Sequence, residues 1–194
     1  GEIALGHNGN LVNADILRAE LEAYGSIFQT TTDSEIIVHL MAKPSLRNIE
    51  EGIVDALARV RGAYSLVFLT NKMLVAARDP QGFRPLWLGK IGSAYVVSSE
   101  TCAFDIMDAT PVREIEPGEV LFITAQGLRS EKIPTLNSQP AHCIFEHVYF
   151  SRPDSKIFGD SVHEVREKLG RQLAIEQPAN ADIVIPVPDS GNSA

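Results

Sequence analysis

The stretch GHNGN, residues 6–10, stands between a short apolar run and the start of a predicted helix. Its asparagine side chains and the backbone N–H of Gly9 are neutral hydrogen-bond donors, the type that forms an oxyanion hole around a developing negative charge. Asn8 followed by Gly9 is also the commonest dipeptide of tight hairpin turns, because glycine adopts positive φ without strain. The residues alone leave both interpretations open: an oxyanion-hole loop or a simple turn.

Downstream of this stretch, the hydrophobic periodicity predicts three helices. The first begins after Asn13, a residue suited to an N-cap, and ends at Gly25. The second follows the sequence Thr-Asp-Ser-Glu at 32–35, which has the form of a capping box. The third begins at Asn48 and runs through Val60.

A β-rich centre follows these helices. Its short runs are separated by turn-length gaps, which indicate antiparallel pairing rather than βαβ crossovers. The predicted strands are Ala63–Leu69, Met73–Ala77, Leu86–Leu88, Ala94–Ser98 and Val120–Thr124.

The sequence pattern in the last part of the chain predicts a second structural unit. Cys143–Ser151 is predicted to be extended, a helix is predicted from about Val162 to Ile175, and a strand at Ile183–Pro186. A connection at 133–141, rich in proline and polar residues, places the boundary near residue 140. The expected domains are therefore 1–140 and 141–194.

The composition excludes several function classes. The 25 acidic residues against 17 Lys and Arg give a net charge of −8, so we expect binding neither to nucleic acid nor to an anionic membrane. No apolar run reaches the roughly 18 residues that a membrane-spanning helix needs. Two cysteines, Cys102 and Cys143, indicate reduced thiols in the cytoplasm and not a disulfide scaffold.

Both termini are predicted to be internal to a longer protein. Residues 1–5 contain no start methionine and lead directly into GHNGN. At the other end, the predicted strand opens a new unit only a few residues before Ala194.

Three further positions carry side chains suited to binding. Asp33, at the start of the second helix, suits the α-amino group of an amino acid, or only the positive end of the helix. Cys143 is a candidate metal ligand or a small buried apolar residue. Ser190 follows the last predicted strand, where α/β domains bind phosphate or metal ions, although a plain turn fits equally well.

Taken together and in this order, the motifs resemble those of the N-terminal-nucleophile glutamine amidotransferases, and in particular the amidophosphoribosyltransferases. The similarity covers essentially the whole chain. It rests on GHNGN at 6–10, TTDSE at 31–35, RGAY at 61–64, RDPQGFRPL at 78–86, SSETCAF at 98–104, EPGE at 116–119, CIFEHVYFSRPDS at 143–155 and VIPVPDS at 184–190.

The resemblance implies an α+β fold. Residues 1–140 would form an amidotransferase αββα sandwich, incomplete at its N-terminus. Residues 141–194 would form a linker and the start of an α/β phosphoribosyltransferase domain. The family uses glutamine to convert phosphoribosyl pyrophosphate into 5-phosphoribosylamine, the first committed step of de novo purine (IMP) biosynthesis, so it combines glutaminase and glycosyltransferase activities.

The resemblance also implies cofactors and partners. Ammonia passes through an internal channel to the second site, where Mg²⁺ is present, and one branch of the family carries a 4Fe–4S cluster. Purine nucleotides are expected as feedback inhibitors, and the protein is expected to form a homo-oligomer.

Residue by residue, Asn8 and Gly9 would supply the oxyanion-hole donors, and Asp33 would hold the α-ammonium group of glutamine. Cys143 matches one of the four cysteines that hold the 4Fe–4S cluster in the cluster-bearing branch. Ser190 would lie at a Mg²⁺ position of the phosphoribosyl site.

The sequence also departs from the family pattern. The N-terminal cysteine nucleophile and the arginine that binds the glutamine carboxylate belong to an upstream block, and the acidic pair and Gly/Thr loop that bind phosphoribosyl pyrophosphate are missing too. The 194-residue chain by itself is therefore predicted to be inactive.

Two alternatives remain. One is another amidotransferase of this group, such as a glucosamine-6-phosphate synthase, and segment 143–190 argues against it. The other is a non-catalytic assembly module, and the joint presence of Asn8, Gly9 and Asp33 argues against that.

Overall fold

The computed structural model describes residues 3–42, 48–135 and 139–194. The described residues up to Arg84, together with those from Ile115 to Ala141, form one compact unit. Pro85–Glu114 and His142–Ala194 form a second. Residues 136–138 of the predicted connection lie outside the described residues, and the predicted division near residue 140 stays a prediction.

The elements follow one another in a simple order. They are β1 (Ile3–Leu11), α1 (Ala14–Ala23), α2 (Ser34–Met41), α3 (Ile49–Arg59), β2 (Gly62–Thr70), β3 (Met73–Arg78), β4 (Trp87–Ile91), β5 (Ala94–Ser98), α4 (Cys102–Ile106), β6 (Thr110–Glu114), β7 (Glu119–Thr124), β8 (Gly127–Lys132), β9 (Lys156–Ile157), β10 (Asp160–Ser161) and α5 (Val162–Glu176).

The first unit is built on a five-stranded antiparallel sheet in the order β1-β2-β3-β7-β8. One apolar cluster joins buried side chains of α1, α2 and α3 to buried side chains of this sheet, among them Ile36, Leu57 and Phe68. Because side chains alternate between the two faces of a strand, Tyr64, Leu66 and Phe68 of β2 all enter this cluster.

The three predicted helices are confirmed, but only the third is capped as expected. Asn48 Oδ1 accepts the N–H of Glu51 at 2.9 Å, as an N-cap should. Asn13 instead donates to the carbonyl of Arg59 and accepts the N–H of Arg61, so it fastens the start of α1 to the segment before β2. Glu35 closes no capping box and bonds to the turn that precedes α2.

The stretch GHNGN is neither a turn nor a loop, because it lies in the second half of β1. Asn8 pairs with Ser65 and Gly9 with Tyr64 on β2. Gly9 has a φ of 152°, and a Cβ there would overlap the carbonyl group of Ala63. Close approach of the two strands therefore requires glycine at this position.

The second unit contains a three-stranded antiparallel sheet, β5-β4-β6, and the short ladder β9-β10. The prediction that Cys143–Ser151 is extended was wrong, because Glu146–Phe150 forms a π-helical turn. Arg166 of α5 explains the difference. Its buried guanidinium donates to the carbonyls of His147 and Ser151, at 2.8 and 2.7 Å, and so replaces the partners that a strand would need.

The predicted strand at Ile183–Pro186 was also wrong. In the described chain these residues join none of the sheets, and Val184 is 88% exposed. An apolar β-branched run becomes a strand only where a neighbouring strand supplies hydrogen bonds. The helix predicted ahead of it is confirmed as α5.

Candidate functional site

A cleft of about 660 Å³ lies along the open edge of β1. Its walls are His7 and residues 9–11 at the end of β1, the start of α1, and residues 31–34 leading into α2. The cleft therefore forms where an edge strand meets the first turn of a helix, and backbone N–H groups of that strand face it.

Asp33 closes one end of the cleft. Its Oδ2 accepts the backbone N–H of Leu11 at 2.8 Å, and its Oδ1 lies 3.3 Å from His7 Nδ1. The Asp33 side chain is 23% exposed, so the carboxylate is held by the protein and still reachable by a ligand. A fixed carboxylate of this kind suits an ammonium group.

His7 is the side chain at this site that sequence reasoning missed. It is only 6% exposed, and its Nδ1 lies 3.1 Å from Ser34 Oγ as well as close to Asp33. Its Nε2 is buried and has no hydrogen-bond partner among the described residues. The available signal was the histidine inside GHNGN, but its partners on α2 become visible only in the folded chain.

The structure brings Gly9 and Asp33 to the same cleft, but not Asn8. Successive backbone N–H groups of a strand point to opposite edges. The N–H of Gly9 therefore points to the same open edge as the N–H of Leu11, which bonds to Asp33. The Asn8 side chain projects from the opposite face of β1 and does not line this cleft.

Neither cysteine belongs to a metal centre formed by the described residues. Cys102 is buried, and burial raises the pKa of its thiol. Cys143 is half-buried, and across residues 3–42, 48–135 and 139–194 no three His, Cys, Asp or Glu side chains converge on one point. Since a 4Fe–4S cluster needs four thiolates, this part of the chain could contribute only one of them at Cys143.

Ser190 lies in a cleft of about 500 Å³ in the second unit, together with Arg152, Arg166 and Asp189. Burial lowers the pKa of Arg166. Mg²⁺ prefers several oxygen ligands in octahedral geometry, and Asp189 is the single carboxylate lining this cleft. These residues alone do not fit a complete magnesium site.

The described part of the chain contains no helix with both the length and the apolar character needed to cross a bilayer.

Comparison with known proteins gives a consistent result. The family described as "Glutamine amidotransferase domain" matches residues 1–105. The amidophosphoribosyltransferase of Bacillus subtilis is 47% identical over 194 residues, which cover 100% of this chain and 40% of the relative. Amidophosphoribosyltransferase 2 of Arabidopsis thaliana, a chloroplast protein, is 50% identical over 192 residues, covering 98% of this chain and 34% of the relative.

A solved structure is equally similar. Glutamine phosphoribosylpyrophosphate amidotransferase of B. subtilis, complexed with ADP and GMP, superposes with a TM-score of 0.95 at 47% identity, covering 100% of this chain and 42% of that one. This likeness confirms the predicted α+β amidotransferase fold. The chain spans about 40% of the length of the Bacillus relative.

Proposed function

Since the chain belongs to the glutamine amidotransferase family, we propose that it is the glutamine-binding part of an amidophosphoribosyltransferase. In this proposal the whole protein releases ammonia from glutamine and transfers it to phosphoribosyl pyrophosphate, forming 5-phosphoribosylamine for purine synthesis. The alternative sugar-phosphate synthase is disfavoured, because the similarity to amidophosphoribosyltransferases extends over residues 141–194.

The observation that carries the proposal is the meeting of Gly9 and Asp33 at one cleft. The Asp33 carboxylate would bind the α-ammonium group of glutamine, while the Gly9 N–H, on the open edge of β1, would donate to the side-chain amide oxygen as it becomes negative. The family pattern implies Asn8 as the second donor; this role rests on the resemblance, because the Asn8 side chain does not line the cleft.

The chemistry then needs a thiolate. Attack by a cysteine sulfur on the glutamine amide carbon forms a C–S bond and an oxyanion. The C–N bond breaks as a proton is delivered to the nitrogen, releasing ammonia. Water then hydrolyses the thioester to glutamate and restores the thiol.

Cys102 is unsuited to this role, because burial raises the pKa of its thiol and keeps it protonated. Cys143 belongs to the second unit and lies outside the cleft along β1. We therefore assign the nucleophile to the N-terminal cysteine of the family pattern, upstream of these residues. The chain supplies the binding and charge-stabilising groups.

The remaining roles belong to the whole protein. Cys143 would contribute one thiolate to a 4Fe–4S cluster, and Ser190 would lie beside Mg²⁺ at the phosphoribosyl site. The B. subtilis relative was solved with ADP and GMP, and on that basis we propose that purine nucleotides regulate this protein. A homo-oligomer in the cytoplasm is the expected state.

The test uses the full-length gene product. The proposal predicts glutamine-dependent formation of 5-phosphoribosylamine, and labelling of an N-terminal thiol by 6-diazo-5-oxo-norleucine. Absence of both in a folded, full-length protein would favour the non-catalytic assembly module. Labelling combined with transfer of ammonia to a hexose phosphate would favour the sugar-phosphate synthase.

A further inference from the structure

We infer that Glu35 is a positioning residue for glutamine: it holds the 28–32 turn, residues Phe28 to Thr32, so that the turn forms a fixed wall of the cleft beside Asp33. The inference rests on the proposed glutamine site and adds to it a residue that the substrate does not touch.

The Glu35 carboxylate gathers the hydrogen-bond donors of the turn. Its Oε1 accepts the backbone N–H of Gln29 at 2.8 Å, and its Oε2 accepts the N–H and the hydroxyl of Thr30, at 2.8 and 2.6 Å. Three charge-assisted bonds on one side chain are strong and directional. They tie the turn to the first turn of α2.

Thr30 links Glu35 to the cleft through a further set of hydrogen bonds. Its Oγ1 lies 2.8 Å from Thr32 Oγ1 and also accepts the Thr32 N–H at 3.2 Å. Thr32 lines the cleft and directly precedes Asp33. A continuous hydrogen-bonded path therefore runs from Glu35, through Thr30, to the residue next to the ligand-binding carboxylate.

A second set of contacts holds the same turn from α1. Arg18 donates to the Thr32 carbonyl at 3.3 Å, and its guanidinium lies 4.1 Å from the centre of the Phe28 ring. Phe28 in turn packs against His39 of α2, with ring centres 4.3 Å apart. Nε2 of His39 lies 3.7 Å from Glu35 Oε1.

These contacts are unusual for a surface turn. Gln29, Thr30, Thr31 and Thr32 are all exposed, and an exposed turn ordinarily needs no such restraint. The N–H groups of Gln29 and Thr30, with the Thr30 hydroxyl, lower the pKa of Glu35 to about 2, so its carboxylate stays charged. A wall fixed in this way reduces the entropy lost when glutamine binds.

The test compares three variants of the full-length enzyme. Glu35→Gln replaces one acceptor oxygen by an NH₂ group that faces other donors. Thr30→Val removes the hydroxyl that links Glu35 to Thr32 and keeps the side-chain shape. Glu22→Gln is the matched control, because Glu22 is an exposed carboxylate on α1 whose side chain does not bond to the turn.

We expect Glu35→Gln and Thr30→Val to raise KM for glutamine about tenfold, with kcat changed by less than about twofold. Activity with ammonia in place of glutamine should stay at the wild-type level, which shows that the second site is intact, and the nearly unchanged kcat with glutamine shows that the first unit folds. Thr30→Ser should restore KM, and Glu22→Gln should leave it unchanged.

The outcomes separate this inference from the proposed function. A wild-type KM in both Glu35→Gln and Thr30→Val overturns the inference while the glutamine site stands. An equal loss of glutamine- and ammonia-dependent activity also overturns it, because it indicates a general folding role. Wild-type enzyme that uses ammonia but not glutamine overturns the proposed glutamine site, and the inference with it.

Discussion

Two aspartates of the first unit, Asp79 and Asp33, both accept backbone N–H groups of strand residues, but they have different roles. Asp79 is completely buried, and its carboxylate accepts the backbone N–H groups of Tyr64, Gln81 and Phe83. Asp33 accepts one backbone N–H with Oδ2 and presents Oδ1 at the edge of a cleft.

The difference lies in how fully each carboxylate is enclosed. Burial raises the pKa of Asp79, and the three N–H bonds oppose that shift. Beside it, the buried guanidinium of Arg78 donates to the carbonyls of Gly82, Arg84 and Ile115. A carboxylate whose oxygens are all enclosed by backbone maintains structure, whereas one with an oxygen left at a surface can bind a ligand.

The largest expected effect is on stability. Asp79→Ala leaves three buried N–H groups without an acceptor and should lower the free energy of unfolding by about 3–5 kcal/mol. Asp33→Ala, by contrast, should lower it by about 1 kcal/mol, because it removes the acceptor of a single backbone N–H and its side chain is 23% exposed. Urea unfolding of both variants measures the two values, and equal losses would abolish the distinction drawn above.

The next effect is on glutamine use. Asp33→Asn keeps an oxygen for the Leu11 N–H but loses the negative charge that would attract an ammonium group. In the full-length enzyme we expect kcat/KM for glutamine to fall about 100-fold, or about 2.7 kcal/mol, with ammonia-dependent activity unchanged. A variant with the wild-type kcat/KM would show that Asp33, like Asp79, is only structural.

Substitution of Gly9 tests whether packing of β1 against β2 fixes the edge of the cleft. Gly9→Ala places a methyl group into the Ala63 carbonyl, whereas Gly25, also at positive φ, has nothing within 4 Å of its added Cβ. Gly9→Ala should therefore be less stable than Gly25→Ala by about 2 kcal/mol in urea unfolding. Equal stabilities would mean that β1 and β2 can separate at this point.

The smallest effect is a pH dependence at Glu35. The pKa of this carboxyl is lowered from 4.5 to about 2. A carboxyl group whose pKa is lowered in the folded state stabilises that state at pH values above its ordinary pKa. This contribution is lost as the pH falls through the folded-state pKa. The difference in unfolding free energy between wild type and Glu35→Gln should be constant above pH 4.5 and should decrease as the pH approaches 2. A difference in unfolding free energy that stays unchanged near pH 2 would contradict the contacts between Glu35 and the turn.

Local signals predicted local structure. Asn48 and Glu51 define the start of α3 within four residues, and the structure has that cap. β1 was missed because two glycines and two asparagines interrupt it, and only pairing with the distant β2 makes it a strand. The apolar run Ile183–Pro186 shows the opposite error, since it has strand composition without a strand beside it.

The site, too, could be predicted only where local sequence motifs mark its residues. Gly9 and Asp33 were identified from motifs, and the structure places both at the cleft. His7 could not be assigned, because its contacts join β1 to α2. Glu35 was interpreted as half of a capping box, since sequence spacing cannot distinguish a carboxylate that bonds to its own helix from one that bonds to the preceding turn.

The pairing of β1 with β2 also sets the order in which the cleft can form during synthesis. His7 stands opposite Leu66, and all three helices of the first unit lie between them in the chain. As the polypeptide leaves the ribosome, α1, α2 and α3 emerge while β1 still lacks its partner. Such a long loop closes slowly, so the cleft along β1 belongs to the late, non-local steps of folding and forms only after β1 has paired with β2.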